Sequence, residues 1–251
     1  MRLHSISLAA GRPITIYLPE SVRPRRRRRY PLLILHDGQN LFDPSRAFVQ
    51  GQHWRVGEVA DALIAARRIP PLIICGLDHA GPDRIREMTP TPGPNGDGGG
   101  AAAYTRMIAD ELLPLMRREF PVERDRRHIG LGGASLGGLA TLFAATQRPD
   151  VFGKLLVMSP SVWWDRRAIL DLIARRPEAL AGTRLWIDIG LREGVRAVAD
   201  TRRLVRTLTR LKLALGAAPP ELNYIEDADG DHSERAWARR LPRALMYLFN
   251  E

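Results

Sequence analysis

The chain has 251 residues, 45% of them hydrophobic and 26% charged, with a formal net charge of +10. That length can bury a substantial core, and the composition is that of a globular protein, not a disordered or fibrous one. The single cysteine excludes an intrachain disulfide framework and a CxxC metal site, and no apolar run approaches the roughly 20 residues of a membrane span.

The charge has a narrow source. Six arginines crowd into "VRPRRRRRY", Val22 to Tyr30, and without them the balance falls to +4. The run lacks interleaved aromatics and joins two expected strands, so it reads as a self-repelling solvated loop. A polyanion contact is the sharper alternative, and no nucleic-acid partner is expected. The remaining arginines scatter over helical segments, interleaved with Asp and Glu. The opening "MRLHSISLAAGRP" lacks the apolar core of a signal peptide, which predicts a cytoplasmic protein. Cys75, inside "PLIICGL", reads as a buried small hydrophobe.

In chain order, "LHSISL" and "PITIYLP", joined by "AAGR", predict an antiparallel hairpin. A third strand, "PLLILH" (31–36), follows. The helical "WRVGEVADALIAARR" then leads to a fourth, "PLIICGL" (71–77). "AAYTRMIADELLPLMRREF" places Tyr104, Ile108, Leu112, Leu115 and Met116 on one helical stripe and leads to the fifth strand, "HIGLGG" (128–133). A helix over 135–147, "KLLVMS" (154–159), the helix "RRAILDLIARR" and "RLWIDIG" (184–190) come next. The helix "VRAVADTRRLVRTLTRLKLAL", the strand "ELNYIE" (221–226) and the helix "SERAWARRLPRALMYLF" close the chain. From the third onward the strands are continuous apolar runs, as parallel strands covered on both faces are. The alternation predicts an α/β fold: a mostly parallel eight-stranded sheet with helices on both faces, in one domain over 1–251. Segments 37–53, 78–100 and 159–165 are too long and too rich in Gly and Pro for plain connectors. All follow C-terminal strand ends, the edge at which such sheets bind ligands.

The sharpest local signal is "HIGLGGASLGGLATLFAA", residues 128–145. Gly130 and Gly132 fall one glycine short of a dinucleotide G-x-G-x-x-G, because Ser135 occupies the third position. That reading also needs an acidic residue at the end of the next strand, which ends instead in Ser159 and Pro160. Gly133-Ala134-Ser135-Leu136-Gly137 fits better as G-x-S-x-G, a nucleophile turn between strand and helix, where small neighbours relieve backbone crowding.

The partners arrive in the order an α/β-hydrolase fold requires, nucleophile then acid then histidine. His232 sits in "EDADGDHSERAW", between the last strand and the last helix, as the candidate base. Asp188 and Glu193 are the first candidates for the acid. Asp188 lies within its strand and is expected to point into a sheet face or cap a neighbour, whereas Glu193 lies just past the strand end, where a carboxylate can accept from an imidazole Nδ1–H. Glu193 is favoured, with Asp227, Asp229 and Asp231 as alternatives. An oxyanion hole then needs two backbone donors: the Leu136 N–H, and the Gln39 N–H in "LHDGQNLFD", where Gly38 is expected to turn the chain, with a structural Asx-type turn around Asp37 and Asn40 as the alternative or companion reading.

These residues resemble the putative-esterase family of α/β hydrolases, closest to its enterochelin-esterase-like branch and related to esterase D and feruloyl esterases. The matching words are "LHDGQNLFD", "REMTP", "ELLPLMRREF", "GGASLGGLATL", "SPSVWWD", "GLREG" and "DHSERAWARRLPRALMYLF". The resemblance implies serine esterase activity on a small-molecule ester, with Ser135 as nucleophile, His232 as base and Glu193 as acid, and no metal or organic cofactor. It implies Trp163 and Trp164 as substrate wall or core packing, and Arg84 and Glu87 as substrate-orienting or loop-bracing residues. An acyltransferase using the same groups, or a feruloyl or acetyl esterase of polysaccharides, is the alternative. The resemblance leaves the ester and the oligomeric state open.

Overall fold

The computed structural model describes residues 2–9, 11–22, 28–214 and 218–250. Most of the arginine run, residues 23–27, lies outside them. Of the remainder, the Arg28 guanidinium lies over the Tyr30 ring and Arg29 donates to the Val122 carbonyl at 3.0 Å.

Eight strands form one sheet: β1 Arg2–Ser7, β2 Pro13–Leu18, β3 Leu32–His36, β4 Ile73–Leu77, β5 Ile129–Ala134, β6 Lys154–Met158, β7 Arg184–Gly190 and β8 Glu221–Asp227. Their spatial order is β1-β2-β4-β3-β5-β6-β7-β8. β2 pairs antiparallel with both β1 and β4, while β3 through β8 run parallel. The hairpin and the mostly parallel sheet are therefore as expected. The chain leaves β3 toward β4 on one side and later enters β5 on the other. β3 and β5 thus flank the topological switch point, where open α/β sheets hold ligands.

The continuous apolar runs follow from the period-2 alternation of strand side chains, with both faces covered. Leu32, Ile34, Cys75, Leu131, Leu155 and Ile187 belong to one buried cluster; Leu33, Leu35, Ile74, Leu156 and Trp186 belong to the other. The first face is covered by helices α3 Ala101–Arg106, α4 Leu113–Glu119, α5 Leu136–Gln147, α6 Trp164–Arg175 and α7 Val195–Ala214. The second is covered by α1 Val56–Ala65 and α8 Glu234–Phe249, and a short helix, α2 Arg84–Met88, lies within the long segment after β4. β8 departs from the expectation of full coverage: it is the edge strand, and its residues are half-buried or exposed.

α5 is apolar all round and buried over every residue except Gln147, as a central helix must be. Its buried hydroxyls are answered locally, Thr141 by the Gly137 carbonyl and Thr146 by that of Phe143. Between α3 and α4 one widened π turn, Met107–Leu112, precedes Pro114. Proline has no N–H to give to residue 110 and its ring crowds that carbonyl, which the wider turn relieves. Tyr104, Ile108, Leu112 and Met116 face the core as the stripe predicted, with Leu115 only partly covered.

The arginines of α7 do not follow the expected interleaving. Arg196, Arg203, Arg206 and Arg210 lie on its exposed side, and the one acidic residue of that stretch, Asp200, is buried against Arg167. No helix among the described residues is long and apolar enough to cross a membrane.

Candidate active site

Ser135 joins β5 to α5 at φ 58°, ψ −120°, a conformation that L residues adopt only under constraint. The constraint is close packing. A Cβ on Gly133 would stand 3.1 Å from the Gly137 Cα and from the His36 ring, so strand and helix cross without room for a side chain. The turn leaves Ser135 at the C-terminal edge of the sheet, where its Oγ lies 3.2 Å from Ser161 Oγ.

His232 and Glu193 meet at the same edge. His232 Nδ1 is 2.7 Å from Glu193 Oε2. The imidazole is half exposed (47%), whereas the carboxylate is sealed (1%). The ring is backed edge-on by Trp237, with centroids 5.0 Å apart. Glu193 Oε1 accepts from the Gly190 N–H at 2.8 Å and from Ser159 Oγ at 2.6 Å. Ser233 caps α8 by accepting from the Ala236 N–H, which orients the loop carrying His232.

The alternative acids lie elsewhere. Asp188 points into the sheet face, fully buried, accepting from Trp186 Nε1 at 2.7 Å and ion-paired with Arg240 at 3.1 Å. Burial pushes its carboxyl up to about 6 against the pull of Arg240. Asp229 pairs with Arg192, Asp231 accepts from Ser233, and Asp227 lies 3.6 Å from Arg240.

The Leu136 N–H begins α5, and the Gln39 N–H lies in a 3₁₀ turn, Gly38–Asn40. Amide hydrogens at helix starts have no intrahelical acceptor and point outward. The sharp turn before Gln39 is made by Asp37, at φ 56°, and not by Gly38. Gly38 serves close approach instead, because a Cβ there would meet the Gly76 carbonyl carbon at 2.6 Å.

Arg84 forks onto both Asp37 oxygens, at 2.7 and 2.8 Å, so it braces that turn. Glu87 is held by Arg12, with the second bond at 3.0 Å, which ties the hairpin to the loop after β4. The two tryptophans part company: Trp164 is buried and donates to the Thr91 carbonyl at 2.9 Å, while Trp163 is exposed. Of the seven exposed large hydrophobics described, Phe48, Val49, Ile85, Trp163, Leu191 and Val195 all follow the C-terminal ends of β3, β4, β6 and β7. The segments that leave the sheet at the edge carrying Ser135 therefore present apolar side chains to solvent.

Four side chains here are not predicted from spacing: Ser159, Ser161, Trp237 and Arg240. The first two flank Pro160 in "SPSVWWD" and the last two lie in "ERAWARRLP", segments already quoted for other residues. Beneath the turn, His36 is fully buried with Nδ1 2.9 Å from the Tyr104 hydroxyl, and burial pulls its pKa down to about 4. A cavity of about 570 Å³ between α1 and the start of α8, lined by Trp54, Val59, Leu63, Ala238 and Pro242, does not include Ser135, His232 or Glu193. Among the described residues no cluster of His, Cys, Asp and Glu has the form of a metal site.

The chain is similar to proteins of one known family. A family model described as "Putative esterase" matches residues 5–248. An iron(III) enterobactin esterase of Dickeya dadantii is 32% identical over 229 residues, which are 87% of this chain and 47% of that protein. The chain thus spans about half of that relative's length. It spans nearly all of an uncharacterized protein, YbbA of Bacillus subtilis, at 26% identity (97% of this chain, 94% of that protein). The crystal structure of an IroE-like serine hydrolase from Shewanella oneidensis shares the fold, with a TM-score of 0.80 at 21% identity, covering 99% of this chain and 80% of that one.

Proposed function

The chain belongs to the putative-esterase family, a family of carboxylic ester hydrolases, and from that premise we propose that it cleaves its substrate through an acyl-serine intermediate on Ser135. The observation that carries this reading is the sealed Glu193 carboxylate 2.7 Å from His232 Nδ1, at the sheet edge where Ser135 is held in its strained turn.

His232 Nε2 takes the Ser135 hydroxyl proton as Oγ adds to the ester carbonyl carbon. Glu193 stabilises the imidazolium, and the Leu136 and Gln39 N–H groups receive the carbonyl oxygen as it becomes negative. Collapse breaks the carbon–oxygen bond to the alcohol, which leaves with the proton from His232. Water, deprotonated by His232, then releases the acid and restores Ser135. Ser161, bonded to Ser135 Oγ in the resting site, must give way to His232 during attack. Catalytic hydrogen bonds often tighten only once substrate is bound.

These exposed apolar side chains, Trp163 among them, suit an ester with an aromatic or otherwise bulky acyl part. The similarity to an enterobactin esterase makes a siderophore-type ester the substrate class proposed. Ser135→Ala should lower p-nitrophenyl ester turnover by roughly 10⁴-fold or more, and should abolish labelling by a fluorophosphonate. Turnover unchanged in that variant would overturn the assignment.

A further inference from the structure

The proton positions behind His232 are dictated by donors that cannot act as acceptors. Ser159 Oγ lies 2.9 Å from Trp237 Nε1, 2.8 Å from Arg240 Nη2 and 2.6 Å from Glu193 Oε1. An indole N–H and a guanidinium only donate, and a hydroxyl has two lone pairs and one hydrogen. Trp237 and Arg240 fill both lone pairs of Ser159, so its single O–H is left for Glu193. Oε1 then accepts twice, from Ser159 and from the Gly190 N–H, and has no room for a proton of its own. Oε2, the other oxygen, faces His232 Nδ1.

The charges point the same way. Arg240 is almost fully buried and is shared by three carboxylates: Asp188 on β7 at 3.1 Å, Glu193 at 3.7 Å, and Asp227 at the end of β8 at 3.6 Å, the last also met by Arg239 at 3.6 Å. A buried carboxylate without a countercharge takes up a proton. Arg240 supplies that countercharge. Three carboxylates against the two guanidiniums of Arg239 and Arg240 leave negative charge for an imidazolium to answer.

We propose that Ser159 is a positioning residue of this site, with Trp237 and Arg240 as its fixed donors, and that the three hold Glu193 as a pure acceptor and so keep His232 in its Nδ1–H tautomer. That tautomer leaves the Nε2 lone pair free to receive the Ser135 proton. The inference rests on the site read above.

The test compares wild type with Ser159→Ala, Arg240→Gln and Arg240→Lys, using ¹⁵N NMR of the His232 ring together with steady-state hydrolysis of p-nitrophenyl esters. Ser159→Ala should turn a single Nδ1–H signature into a tautomer mixture and lower kcat roughly ten- to a hundredfold, the range expected for losing hydrogen bonds to charged groups, with KM unchanged. Arg240→Gln should do the same, and Arg240→Lys, which keeps charge and donors, should recover most of kcat. Should Arg240→Gln fail to fold, Ser159→Ala carries the test alone, since it removes one atom and no charge. A Ser159→Ala protein with wild-type tautomer and kcat overturns the inference. The NMR readout needs no substrate. Loss of the signature in a protein that hydrolyses no ester would sink the esterase mechanism alone, and an active esterase with an unmoved signature would sink this inference alone.

Discussion

Replacing Glu193 by Gln tests the proton inventory most directly. Oε1 receives two donors, the Gly190 N–H and the Ser159 O–H, so the glutamine carbonyl oxygen must occupy that position. Its NH₂ then lies where Oε2 was, 2.7 Å from His232 Nδ1. Two N–H groups cannot face each other there, and the imidazole responds by moving its proton to Nε2. That tautomer cannot take a proton from Ser135. The equivalent acid-to-amide swap in another serine enzyme costs about 10⁴ in kcat. Here the imidazole is half exposed and water can compete for it, which trims the expected loss to about 10³, or about 4 kcal/mol. Glu193→Ala leaves space for a water that accepts from Nδ1–H. Its loss should be about 10², close to the size of a single charge-assisted hydrogen bond. The order is the diagnostic: the Ala variant should be about tenfold faster than the nearly isosteric Gln variant. Initial rates on p-nitrophenyl acetate, with circular dichroism to confirm folding, give the comparison. A Gln variant as fast as the Ala variant would refute the tautomer argument.

Two further outcomes follow from buried groups. Tyr104→Phe removes the partner of His36 Nδ1, whose other ring nitrogen already lacks one, and should cost about 1–3 kcal/mol in urea denaturation; an unchanged midpoint would mean that water reaches the pair. The Asp188 carboxyl is raised from 3.8 to about 6, so between those pH values the unfolded chain releases a proton that the folded protein keeps. Stability should therefore fall as pH rises through this window, and Asp188→Asn should flatten the slope; parallel stability–pH curves for the two proteins would contradict it.

The fold was legible because two simple signals agreed: apolar runs of strand length and 3.6-residue stripes between them. The placement of Asp188 is also legible, since a strand residue at that phase points into a sheet face, and Asp188 does. Other features were not. Ser159 and Arg240 are 81 positions apart and are joined only by the packing of α8 over the end of β6. Trp163 and Trp164 are identical neighbours in sequence, yet one is exposed and the other buried, where its indole N–H reaches the Thr91 carbonyl. At Asp37 the expectation failed for a chemical reason. The sharp turn expected at Gly38 falls instead on Asp37, whose carboxylate the Arg84 fork holds. Long-range ion pairs of this kind override local preference and leave no local pattern.

The left-handed geometry of Ser135 has one more consequence. A serine at φ 58° is held there by its surroundings at a cost on the order of 1–3 kcal/mol, and glycine would adopt the same angles almost freely. Ser135→Gly should thus yield a protein that is inert and yet melts at a higher temperature. Any selection for heat resistance alone, without a demand for turnover, would drift toward erasing the proposed nucleophile.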